Sequence, residues 1–297
     1  MKFKFLFLFF NLVIILFLLV LFFMPVFVLG KDPSPVWSEG IIQSLWPLGA
    51  ILVVLFIILN LYYFSNRELF RLLDREDWPA LAGYLETRLS RRRRYPAYLV
   101  RLYINTCLVL SDFETVAGLE NKLALVKPSL VDRNALIFGT ARILGKDYAG
   151  ALRFFAARDR FSGAGGNPGG AASRIRLPSF GFFTEHKGNR DQWLAWFHGF
   201  VLLLNHHLEE AAEKFRLIAA ESGDPLTAGL AAWFLEDTLS RIVEGARETA
   251  GAARERIRSS LPLRKDWEKE VVKNETEIYA AILRGYINDA GNWIYGS

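Results

Sequence analysis

The chain has 297 residues, 52% of them hydrophobic, with a formal net charge of +5 and a single cysteine, Cys107. One cysteine excludes an internal disulfide, and His186, His198, His206 and His207 lack metal-site spacing, since neighbours such as His206 and His207 leave different faces of a helix. Ser65 to Leu110 holds nine Arg against five Asp/Glu, while 24 basic and 24 acidic residues follow, so the basic excess is local and not the stripe of a nucleic-acid-binding domain.

Two apolar stretches come first. After Met1-Lys2-Phe3-Lys4, residues 5–29 are apolar apart from Asn11. Their length favours a transmembrane helix, whereas Pro25 and the ending Val28-Leu29-Gly30 favour a cleaved signal peptide. The second stretch, 41–64, has the roughly 20 apolar residues that cross a hydrocarbon core of about 30 Å. Trp46 at one end and Tyr62-Tyr63 at the other suit the two headgroup levels. The intervening loop carries only Lys31, Asp32 and Glu39, while Arg67, Arg71, Arg75 and the run Arg91, Arg92, Arg93, Arg94 follow the second span. Positive charge near a span stays on the cytoplasmic side. Residues 1–64 are therefore expected to anchor the chain in a bacterial inner (plasma) membrane with the C-terminal part in the cytoplasm. The four consecutive arginines suit an anionic lipid surface, at about 1 kcal/mol per nearby basic group; a solvated helix end is the other reading.

Beyond residue 65 the apolar spacing is helical, with no sustained strand-like alternation. The pairs Asp77-Trp78, Asp112-Phe113 and Asp147-Tyr148 recur every 35 residues, each between two apolar helices, and His207-Leu208 marks a fourth such turn 60 residues on. Gly139, Ala151 and Phe155 are spaced by 12 and 4, and Gly199, Ala211 and Phe215 repeat both intervals. Such spacing suits two antiparallel helices, with glycine facing alanine at close approach and the phenylalanine filling the space toward the next pair. No phosphate loop, dinucleotide fingerprint, nucleophile elbow or metal triplet occurs, so no enzyme, cofactor or metal is expected.

These features resemble the tetratricopeptide repeat, a 34-residue helix–turn–helix unit. The family's glycine, alanine and aromatic positions match Gly139 and Gly199, Ala151 and Ala211, and Phe155 and Phe215, while Pro128 matches the proline after a second helix. In the unit before them, Ile104, Val116 and Glu120 depart from the pattern. The resemblance implies an all-α chain in which one or two N-terminal transmembrane helices lead into an α-solenoid. Repeats would span 65–222 with a loop insertion at about 159–190, and 223–297 would form a helical cap. The first repeat's opening helix, Tyr62 to Glu76, would continue the second span without a break. The insertion contains a glycine-rich run and Phe180, Phe182 and Phe183, which suit either a binding face or the gap between repeats. Helices are expected at Leu226–Glu248, Arg254–Ser259 and Trp267–Ala290, with Trp293-Ile294-Tyr295 packed as an end cap.

Members of the family bind peptides on the concave face of their first helices. Carried over, that face comprises Tyr98, Arg101, Asn105, Arg133, Thr140, Trp193, Trp196 and Phe200. Arg101 and Asn105 fall on positions of the family's chaperone-tail clamp, which Leu136 and Ile137 break in the following unit. The expected function is a membrane-anchored protein-interaction scaffold that recruits a protein or peptide and contacts the lipid bilayer, without nucleic acid. The alternative is a periplasm-facing structural component of an envelope machine such as a secretion or flagellar apparatus.

Overall fold

The computed structural model describes residues 2–29, 35–91, 95–159, 161, 187–274 and 278–296. The chain is all-α: sixteen α-helices and no strand occur among the described residues. It divides into two compact units, residues 1–95 and 96–297. The division falls at residue 95, not at residue 64 where the composition changes.

In the first unit, α1 (Lys2–Leu29) and α2 (Pro35–Ser65) form an antiparallel apolar hairpin. Most of its described side chains are exposed, among them Phe5, Leu8, Ile51 and Ile58, while Ile14 is buried between the helices. Trp46–Ser65, 20 residues, is the one segment among the described residues long and apolar enough to cross a membrane. A polar contact fixes the hairpin's register: Asn60 Nδ2 donates to Asn11 Oδ1 at 2.8 Å and to the Phe56 carbonyl at 2.8 Å. Phe7 stacks on Tyr63 at 3.8 Å, and Tyr63 stacks in turn on Phe70 at 5.8 Å. A side-chain amide bond between apolar helices contributes roughly 0.6–2 kcal/mol.

The uninterrupted helix expected from Tyr62 to Glu76 is broken once. α2 ends at Ser65 and α3 (Arg67–Arg75) begins after Asn66, whose φ of −114° and ψ of 12° leave the helical region. The main-chain ladder bridges the break, with Asn66 N–H donating to the Tyr62 carbonyl at 3.1 Å and Phe70 N–H to the Asn66 carbonyl at 3.0 Å. Arg88 of α4 (Trp78–Ser90) donates to Asn66 Oδ1 at 2.9 Å and pins the joint. Of the basic run, Arg91 is exposed, and Arg92, Arg93 and Arg94 lie outside the described residues.

The second unit runs through α5 (Ala97–Val109), α6 (Phe113–Val126), α7 (Pro128–Arg133), α8 (Ala135–Leu144), α9 (Tyr148–Ala156), α10 (Lys187–Leu204) and α11 (Leu208–Glu221). It continues with α12 (Pro225–Phe234), a π-helical turn (Leu235–Leu239), α13 (Ala246–Ser260), α14 (Arg264–Asn274), α15 (Ile278–Ile282) and α16 (Arg284–Tyr295). α5–α6, α8–α9 and α10–α11 pack as sequential pairs, and α5, α8, α10 and α12 also touch one another in that order. The single helix expected over 226–248 is instead divided: α12 ends at Phe234, the π-helical turn and further turns follow, and Gly245, with φ of 74°, precedes α13.

The four turns share one geometry. Glu76, Ser111, Lys146 and His206 have φ of 54°, 58°, 61° and 63°. The residue after each of these four donates its N–H five residues back: Asp77 to Leu72, Asp112 to Cys107, Asp147 to Arg142 and His207 to Leu202. This closes the old helix with a left-handed residue although none of the four is glycine. At three turns the aspartate also caps the new helix, accepting from Ala80, Thr115 and Gly150 N–H at 3.1, 3.1 and 2.9 Å. Helix stop and helix start are thus compressed into two residues.

The matched core positions show how the pairs exchange volume. At Gly139 an added Cβ would come within 2.6 Å of Phe155 Cε2, and at Gly199 within 3.0 Å of Phe215 Cε1. The ring, more than the alanine, therefore occupies the space that the glycine vacates. In the α5–α6 pair Ile104 fills that space itself, and Glu120 takes the place of the ring. Its Oε2 accepts from Arg142 Nε and Nη2 at 3.1 and 3.0 Å, and Arg142 Nη1 reaches Asp147 Oδ2 at 2.7 Å. Glu120 is only 8% exposed, so its departure from the repeat pattern serves this ion-paired contact with α8.

Gly139→Ala is expected to destabilise the chain by about 1–3 kcal/mol through overpacking. Gly118→Ala, where a Cβ meets nothing within 4 Å, is expected to stabilise by about 0.5–1 kcal/mol. Thermal melts of the two variants in one detergent check both signs, and a neutral Gly139→Ala would contradict the ring-on-glycine packing.

Candidate functional site

The eight positions expected to meet a partner separate into two groups. Tyr98 is 49% exposed, Arg133 is exposed, and Arg101 and Asn105 are half-buried. Tyr98, Arg101 and Asn105 follow i, i+3, i+7 and share one face of α5, which packs against α8. Asn105 Oδ1 is enclosed without a hydrogen-bond partner among the described residues. These four remain a candidate surface.

The other four are corrected to core. Thr140 is buried, and its Oγ1 donates to the Leu136 carbonyl at 2.7 Å inside its own helix. Trp193 and Trp196 are fully buried and Phe200 is 9% exposed. Tyr279 lies 4.8 Å from Trp193 and 6.1 Å from Phe197. Tyr286 covers Phe200 at 6.2 Å and Phe234 at 5.3 Å. The layer continues inward through Trp196 stacked on Phe200 at 5.3 Å, Phe215 on Phe234 at 5.5 Å and Phe155 on Phe197 at 5.5 Å. The chain's own C-terminal helices thus occupy the aromatic face of α10 and α12. A signal for this cover does exist in the sequence: Ala280, Leu283, Ile287, Ala290 and Ile294, all buried, form a continuous apolar stripe at helical spacing.

The end of the chain is tied down by side chains. Arg254 Nε donates to the Ile294 carbonyl at 3.0 Å while its guanidinium lies 5.2 Å from the Trp293 ring, and Tyr295 Oη donates to the Leu261 carbonyl at 2.8 Å. Trp267 fits between Gly229 of α12 and Gly291 of α16, where any larger residue would strike its ring.

Two polar clusters were not visible as clusters in the sequence. Asp159, just past α9, receives His198 Nδ1 of α10 at 2.7 Å and a close ion pair from Lys214 of α11. Burial works against its charge, but the hydrogen bonds from His198 and Lys214 outweigh that and hold its carboxyl below the ordinary value. Lys214 also donates to the Phe161 carbonyl at 3.1 Å, so the first residues of the insertion are held at the α10–α11 pair. Residues 162–186 of the insertion, including Phe180, Phe182 and Phe183, lie outside the described residues, and its last residues, expected as loop to about 190, already belong to α10 from Lys187.

The second cluster surrounds Asp224, the N-cap of α12, which accepts from Thr227 N–H at 3.3 Å. Gln192 Oε1 accepts from Asp224 N–H at 2.9 Å and from Ser222 Oγ at 3.1 Å, linking α10 to this cap. Burial pushes the Asp224 carboxyl up to about 6, and the nearby Glu270 adds to the rise. Among the described residues no group of three or more His, Cys, Asp or Glu converges as a metal site.

The helical architecture, with an apolar hairpin ahead of α-helical pairs, is that of an all-α protein. The family described as "Uncharacterised Treponema protein" matches residues 115–164 and 179–296, more than half of the chain, and the chain belongs to that family. A protein of Treponema pallidum (strain Nichols), described as "Uncharacterized protein", is 37% identical over 108 residues, which is 36% of this chain and 34% of that one. The chain thus matches about a third of that relative's length. No solved structure matches it. The family match takes in both α10 and α16, the two sides of the aromatic layer.

A folded carboxyl titrating at about 6, against an unfolded value near 3.8, binds its proton more tightly in the folded chain. Its stabilisation is complete below the unfolded value and is lost as pH rises through about 6, a change of roughly 3 kcal/mol. Asp224→Asn keeps a capping side chain and is expected to gain stability relative to the native chain by about that amount between pH 4 and pH 7. Melting curves across that range check the slope; parallel curves would contradict the buried carboxylate.

Proposed function

We propose that this protein is a membrane-anchored scaffold that recruits a protein or peptide through a short tetratricopeptide-like array, facing the cytoplasm of a bacterial inner membrane. The observation that carries the reading is the fourfold recurrence of one helix–turn–helix junction, at Glu76-Asp77, Ser111-Asp112, Lys146-Asp147 and His206-His207. An array of like helix pairs presents a long ridged surface, which suits extended partners better than small substrates. Support for the anchor comes from the exposed apolar hairpin and its internal Asn11–Asn60 bond. The antiparallel pairing brings Lys2 and Lys4 to the same end of the hairpin as Arg67, Arg71 and Arg75, as the positive-inside rule requires of two retained spans.

The recruiting surface is the α5–α7 half of the array: Tyr98, Arg101, Asn105 and Arg133. The α10 half is closed by the chain's own tyrosines, so the ligand is short and meets two arginines, which suits a carboxylate or another polar end. The double variant Arg101→Glu/Arg133→Glu, purified with its anchor in detergent, is expected to lose the protein that the native chain enriches from its host membrane while its far-UV circular dichroism stays unchanged. Equal enrichment by both chains would sink this surface as the recruiting site.

A further inference from the structure

The α5–α6 pair lacks the phenylalanine that sits on glycine in the two following pairs, and Glu120, which stands in its place, lines a cleft on the other side of α6. The cleft, of about 190 Å³, opens between α6, α8 and the start of α9. Phe113, Val116 and Ala117 of α6 and Phe138 and Ala141 of α8 form its apolar walls. An apolar cavity of about 150 Å³ holds benzene, so the cleft has room for a ring-sized group.

Its polar lining is acidic. Glu114, Glu120 and Asp147 reach the cleft against one cation, Arg142. Arg142 is already committed, giving Nε and Nη2 to Glu120 and Nη1 to Asp147. Both of its bonds to Glu120 end on Oε2, and Oε1 accepts no hydrogen bond among the described residues. A group entering the cleft therefore finds apolar walls and a lining with three carboxylates against one guanidinium.

We propose that this cleft is a docking site for a cationic side chain with an apolar stem, an arginine or lysine presented by a partner protein. Charge complementarity selects that occupant: an anionic group would meet three carboxylates, and a purely apolar one would bury Glu120 Oε1 without a donor. The site stands apart from the α5–α7 surface proposed above. It depends neither on that surface nor on the membrane anchor.

Benzamidine, a ring bearing a planar cation, is the probe, and benzoate is the same shape with opposite charge. Saturation-transfer NMR on the full chain in detergent should detect benzamidine and not benzoate. Glu120→Gln, which keeps the shape and removes the charge, should weaken benzamidine about tenfold, the loss of one charge-assisted hydrogen bond. Ala117→Trp, which fills the cleft, should abolish the signal. Benzoate binding as well as benzamidine, or benzamidine binding undiminished in Glu120→Gln, would overturn the site. If Ala117→Trp lowers the melting temperature too far to be read, the isosteric Glu120→Gln decides alone.

Discussion

The second unit depends on a continuous layer of aromatic rings. α10 supplies Trp193, Trp196, Phe197 and Phe200; α9, α11 and α12 add Phe155, Phe215 and Phe234; Tyr279 and Tyr286 close it from the C-terminal side. Pairs in offset or edge-on contact contribute about 0.5–1.5 kcal/mol each beyond their buried area. The layer even tolerates the indole N–H groups of Trp193 and Trp196, which have no acceptor among the described residues. Leaving such a donor unmet costs about 1–3 kcal/mol, so ring packing outweighs polar satisfaction at this position. Residues as distant as Phe155 and Tyr286 belong to one core for this reason, and the C-terminal helices are part of the fold, not an appendage.

That layer also explains what could and could not be read from the sequence. Helical spacing places Trp193, Trp196 and Phe200 on one face of α10, but spacing cannot say what covers a face. The cover arrives from α15 and α16, some 80 residues later, and the apolar stripe there was legible only as an end helix. By contrast the turns were legible, because a helix stop and a helix start need particular local chemistry: an aspartate that caps, preceded by a residue able to adopt positive φ. Glu120 is a third kind of case. Taken alone it breaks the repeat pattern, and its reason lies in Arg142, which is 22 residues away and two helices on. The break at Asn66 was missed because asparagine in the middle of an apolar-to-basic transition carries no distinctive period; its role depends on Arg88.

The hairpin and the helical pairs differ in what they turn outward, and the proposed anchor rests on that contrast. Along α1 and α2 most of the described side chains are apolar and exposed, which supports the proposed lipid-facing anchor. Asn11 and Asn60 would then be the two amides that must satisfy each other, since no water competes for them there. The second unit buries a large apolar core and carries ion pairs on its surface, as in Lys269–Asp266 and Arg264–Glu268, although single apolar side chains such as Leu125 and Val272 are exposed there too. A scaffold held by the first and exposed by the second needs only one thing of the membrane: that the array face the compartment holding its partner.

The most direct measurement of the central claim is therefore the sidedness of the C-terminal array, read from alkaline phosphatase and fluorescent-protein fusions after residue 297 in a bacterial host. The account predicts a fluorescent chain with inactive phosphatase, the array lying in the cytoplasm. Active phosphatase at that position would contradict it, and the array would then belong to an envelope assembly on the other side of the membrane.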